Sequence, residues 1–86
     1  MNFRVRWTKT ARDQLAAVWL AHHDRNSVTA AAHRVEQLLR HDPANVGEDR
    51  PNGRRVIFDT PLVVLYRVDE AARVVTVTAV SRYGTA

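Results

Sequence analysis

Eighty-six residues with 13 basic against 9 acidic side chains, a net charge of +4 and no cysteine describe one small basic domain over residues 1–86, without a disulfide framework, a thiolate metal site or room for a second core. Lys9 is the one lysine among the basic residues, so the charge is carried by arginine, which clamps phosphates and carboxylates bidentately. The MNFRVRW start is charged and the longest uncharged run, 14–23, is too short and polar for a bilayer, so a soluble cytoplasmic protein with no membrane partner is expected.

Phe3, Val5 and Trp7 alternate with Asn2, Arg4 and Arg6, which predicts a first strand with one buried face. From Thr8 the period changes. Ala11, Leu15, Val18, Trp19 and His22 recur at three- and four-residue steps behind Thr8 as N-cap, predicting a helix over 9–22. HHDRNS breaks the pattern, and Val28, Ala31, Ala32, Val35, Leu38 and Leu39 restart it behind Asn26 or Ser27, stopping before Pro43. Each helix has one apolar stripe, so the pair should form a hairpin lying on one face of a sheet.

DPANVGEDRPNG, with two prolines and two glycines, reads as a loop. Three apolar runs follow, 55–59, 62–68 and 74–82, separated by DTP and DEAA, as an antiparallel meander. The expected fold is therefore α+β: a helical hairpin on a small, mainly antiparallel four-stranded sheet in the order β-α-α-β-β-β. Leu15, Trp19, Val35, Leu38 and Val77 should be buried between the layers.

That order, with ARDQL in the first helix, VEQLLRHDP closing the second and the VVLYRVDEAARVVTVTAV strand pair, resembles the RelE/ParE superfamily of bacterial toxins over nearly the whole chain. The resemblance implies the toxin of a type II toxin–antitoxin pair, neutralised by a small cognate antitoxin protein. RelE-like members cleave messenger RNA on the ribosome without a metal; ParE-like members poison DNA gyrase by binding. The ribonuclease reading implies Arg54 or Arg55, together with Arg82, as phosphate-stabilising groups and Tyr83 as a candidate acid, with no cofactor and no metal. Val63 stands where RelE-like enzymes carry an arginine, and Tyr83 would have to stand in for a tyrosine that those enzymes place further downstream. Gyrase inhibition without catalysis is the alternative, and a family member without toxicity a third reading.

Chemistry separates the roles. Cleaving RNA by transesterification needs a proton acceptor, donors for a charged phosphorane and an acid for the leaving oxygen, and arginine supplies only the second. His41 reads as a solvated helix-end residue. Arg82, following Thr78 and Val80 along one strand, is expected on the face away from the helices. Arg54 and Arg55 should point to opposite faces, and Arg67 should pair with an acid such as Asp59. Neither His22 with His23 nor His33 with His41 has zinc-ligand spacing, and Trp7 and Trp19 read as core.

Overall fold

In the computed structural model, which describes residues 2–83, the alternating amino-terminal segment forms β1 (Arg4–Trp7). Thr8 ends it and begins α1 (Lys9–Ala21), its hydroxyl accepting from the Ala11 amide at 3.1 Å. The second helix, α2 (Arg25–His41), is capped by Asp24 rather than by Asn26 or Ser27: the carboxylate accepts from both the amide and the hydroxyl of Ser27. Those bonds, the hydroxyl first, hold the Asp24 carboxyl below its ordinary pKa. Arg40 and His41 fall in the last turn, where cations suit the negative end of the helix dipole.

Four further strands follow: β2 (Glu48–Arg50), β3 (Arg54–Asp59), β4 (Leu62–Asp69) and β5 (Val74–Arg82). The sheet order is β1-β5-β4-β3-β2, with β1 parallel to β5 and every other pair antiparallel. The sheet thus has five strands, not four. The additional one, β2, lies within the expected loop; it is three exposed charged residues long and shows no periodicity. It exists because Pro51–Gly53 reverses the chain, with Asn52 and Gly53 at φ of 68° and 71°, and lays Glu48–Arg50 against Arg54–Val56.

Both helices cover one face, as the single apolar stripes require. Val28, Ala31, Val35 and Leu39 of α2 and Ala11 of α1 are buried against Leu62, Val64, Tyr66, Val75 and Val77. Trp19 and Leu38, expected in this layer, are 38% and 42% exposed. Trp19 lies in the cleft between α1 and α2, and Leu38 on α2 beside His41, Val46 and Asp59. Trp7 is half-buried and donates through Nε1 to Glu36 at 3.0 Å, tying β1 to α2.

A β-bulge interrupts the β4–β5 ladder. Leu65 pairs with Ala79 but Tyr66 pairs with Val77, so Thr78 is the extra residue, its hydroxyl donating to Leu65 O at 3.4 Å. The core positions of β5 are accordingly Val75, Val77 and Val80: the alternation changes phase at Thr78. Beyond Trp7 no strand flanks β5, and Gln14 of α1 takes over, its Oε1 accepting from the Val80 amide at 2.7 Å.

Candidate functional site

Arg54 and Arg55 open β3 and point to opposite faces, as expected. Arg55 lies opposite Tyr66, on the helix side, with a side chain 17% exposed. Its guanidinium donates to the Asp49 carboxylate and to Gly47 O, and its Nε is buried without a partner among the described residues. Beside it the Tyr66 hydroxyl donates to Pro43 O at 2.8 Å. Burial pushes the Tyr66 hydroxyl above its ordinary pKa, with the Arg55 hydrogen bond and charge pulling the other way. Together Arg55 and Tyr66 fasten the segment between α2 and β2 to the sheet, so the Arg55 guanidinium is already engaged. Arg54 faces away from the helices, its Nε donating to Pro51 O at 3.4 Å.

Arg82 does not lie on the open face. It pairs with Leu62, a fully buried core residue, and so falls on the helix side at the end of β5. The phase change at Thr78 is the reason: a regular strand would have aimed Arg82 the other way. The side chain is exposed and has no hydrogen bond or ion pair to another described residue. Tyr83, half exposed, meets Phe58 edge-on with ring centroids 5.3 Å apart, and its amide donates to Pro61 O at 2.8 Å. Phe58 pairs with Val63, so this aromatic pair borders the open face at the end of β3 remote from Arg54, roughly 13 Å along the strand.

The remaining ionic partners also differ in part from expectation. Asp59 is taken by Arg34 of α2, at 2.7 Å and 3.1 Å through two guanidinium nitrogens, and this bond raises the Arg34 pKa. Arg67 instead donates to Asn52 O at 2.6 Å, because it projects from the open face and Asp59 from the helix face. Glu36 and Arg40 form an i,i+4 pair at 3.2 Å. His33 and His41 sit on α2 beside Leu38, Asp42 and Asp59, on the helical side of the molecule. Among the described residues no group of three or more His, Asp or Glu side chains could hold a metal ion.

A second surface was not anticipated. Between α1 and α2 an apolar trough is lined by Leu15, Ala16, Trp19, Val28 and Ala32, with Arg12 at its rim. The Trp19 indole is fixed there: Nε1 donates to Thr29 at 3.1 Å, and the Arg25 guanidinium stacks 4.7 Å above the ring while donating to Trp19 O and Leu20 O. Leu20 beside it is 61% exposed. The sequence signal was the adjacent pair Trp19 and Leu20, which widens the stripe of α1 beyond what one sheet face can cover, facing the small residues Ala16 and Ala32 that hollow the hairpin.

Comparison with known proteins places these surfaces in context. The family model described as the ParE toxin of type II toxin–antitoxin system, parDE, matches residues 5–83. Among solved structures, the toxin–antitoxin complex RelBE2 from Mycobacterium tuberculosis is similar, with a TM-score of 0.79 and 24% identity over 95% of this chain and 99% of that one. A chromosomal ParDE system from P. aeruginosa gives a TM-score of 0.71 and 16% identity over 95% and 97% of the two chains. The isolated E. coli RelE toxin gives 0.69 and 13% over 98% and 87%. At these identities the likeness to solved structures is one of fold. No curated protein sequence matches the chain.

Proposed function

The chain belongs to the ParE toxin family of type II toxin–antitoxin systems, and on that footing we propose that this toxin stops growth by binding DNA gyrase rather than by cutting RNA. The observation that carries this reading is the dispersal of the groups a ribonuclease would need. Proton acceptor, charge stabiliser and acid must converge within about 3 Å of the reacting atoms. Here Arg55 is engaged with Asp49 and Gly47, Arg82 lies on the helix side, and Arg54 and Tyr83 stand at opposite ends of β3. The histidines of α2 are on the other layer. Binding needs no such convergence, and a fold that presents large exposed side chains from both layers suits it.

The cognate antitoxin docks in the trough between α1 and α2. Covering Trp19, Leu20 and Leu15 supplies the apolar area, at about 1.5–3 kcal/mol for each large side chain fully buried. Carboxylates of the antitoxin meet Arg12 and Arg25 at the rim. One observation favours the ribonuclease reading: Arg82 and Tyr83 are adjacent and exposed at the end of β5, a cation followed by an aromatic ring that packs against Phe58. The two readings part in one experiment. Gyrase supercoiling should be blocked at toxin concentrations that leave a cell-free translation reaction and its messenger RNA intact. Messenger RNA cleavage abolished by Arg82→Ala, with supercoiling unaffected, would overturn the gyrase reading.

A further inference from the structure

The registers of the five strands bring arginines into a line. Arg50 pairs with Arg54 across β2–β3; one step beyond the Arg55–Tyr66 pair, Arg54 stands beside Arg67; Arg67 pairs with Thr76, and Thr76 with Arg6. All five side chains belong to the face opposite the helices, since Arg55, Tyr66, Val75, Val77 and Trp7 occupy the other. Four arginines and a threonine therefore cross the sheet at right angles to its strands, over roughly 19 Å at about 4.8 Å per strand.

Like charges directly opposite one another destabilise a sheet, and little here relieves them. Arg50 has Glu48 at 3.3 Å. Arg54 and Arg67 bond only to backbone carbonyls, and Arg6 has no hydrogen bond or ion pair to another described residue. Six of the nine acids, Asp13, Asp24, Glu36, Asp42, Asp49 and Asp59, lie on the helices, their connections or the helix face of the sheet; of the other three, Glu48 is the partner of Arg50, and Asp69 and Glu70, at the β4–β5 turn, border Arg67 and Thr76 without a hydrogen bond or ion pair to either. With Arg6, Arg54 and Arg67 free of any ion pair to another described residue, the row is complementary to a linear polyanion.

We propose that this row is a binding site for the sugar–phosphate backbone of duplex DNA, with Arg6, Arg54 and Arg67 each clamping a phosphate and the Thr76 hydroxyl between them. Arginine suits phosphate oxygens bidentately. A row longer than the roughly 12 Å width of the major groove can reach backbone on both of its sides. Duplex is favoured over a single strand because the row holds no aromatic face on which an unpaired base could stack; Phe58 and Tyr83 lie roughly 13 Å away along the strands. The proposal stands independently of the gyrase reading.

Fluorescence anisotropy of a short labelled DNA duplex, titrated with the purified protein at several salt concentrations, tests it. Three phosphates neutralised give a slope of log K against log salt of about −2.7, and each arginine lost should reduce it by about one. Arg6→Gln, which breaks no intramolecular bond, is the first variant and should weaken binding several-fold. Arg6→Gln with Arg54→Gln and Arg67→Gln should abolish it, checked against a thermal melt, while Arg12→Gln with Arg25→Gln on the helices should change nothing. Unchanged affinity and slope in Arg6→Gln would overturn the proposal. So would tighter binding to single-stranded RNA of equal length, or displacement of the duplex by a polyglutamate peptide at lower concentration than by unlabelled DNA.

Discussion

Replacing Gly47 by alanine should destabilise the fold by about 2–3 kcal/mol, although the residue has no side chain to lose and its backbone needs no left-handed conformation. A β-carbon there would stand 2.7 Å from the carbonyl oxygen of Val56 and closer still to the Tyr66 hydroxyl. The carbonyl cannot retreat, because Val56 is held in register by Glu48 on one side and Leu65 on the other. The hydroxyl can yield only by leaving Pro43 O, which forfeits a buried hydrogen bond of about 1 kcal/mol. The two effects together should lower the melting temperature by roughly 8–20 °C in a domain of this size. Urea unfolding of Gly47→Ala, Tyr66→Phe and the double variant separates them. In the Tyr66→Phe background the alanine should cost about 1 kcal/mol less, yet not nothing, because the clash with Val56 remains. A Gly47→Ala protein within about 0.5 kcal/mol of the parent, or an equal cost in both backgrounds, would refute the reasoning.

Three other outcomes are expected. The folded state holds the Tyr66 proton more tightly than the unfolded chain, so this contribution is complete below the unfolded value near pH 10 and is lost as pH rises through the folded pKa; chemical denaturation at successive alkaline pH values should show a smaller decline for Tyr66→Phe than for the parent. Gln14→Ala leaves the Val80 amide without its acceptor and should cost about 1–2 kcal/mol, read as a lowered melting temperature. Arg34→Ala removes a two-pronged pair between an exposed guanidinium and Asp59 and should lower the melting temperature only slightly in low salt, the difference fading as salt is added.

The legible parts of the fold were those written in a single period. Phe3, Val5 and Trp7, the i,i+3/i+4 series of both helices, and the three apolar runs carried the element order and the one-sided layering. What escaped was set by geometry that no local pattern records. β2 is three charged residues held by the turn that follows them. Thr78 looks like any strand residue, yet as a bulge it reverses the face of everything after it, which is why Arg82 lies on the helix side and not on the open face that regular alternation predicts. Arg55 gave no sign of being locked to Gly47 and Asp49, since that lock joins segments apposed only in the folded sheet. The helical trough was half legible, in Trp19 and Leu20. The transverse row of arginines could be read only once the registers were known.

The parallel pairing of β1 with β5 joins the first strand of the chain to the last, with Arg4 against Val74 and Trp7 against Val77. Such contacts are the costliest in chain entropy to close and depend on everything between them. During synthesis the helices leave the ribosome with their apolar faces uncovered, and β1 has no neighbour until Val74–Arg82 has emerged. A five-stranded surface therefore exists only when translation of this domain is all but finished. For a toxin, that order of events keeps the complete sheet surface from forming before β5 has emerged, and a chain broken off ahead of β5 cannot form it.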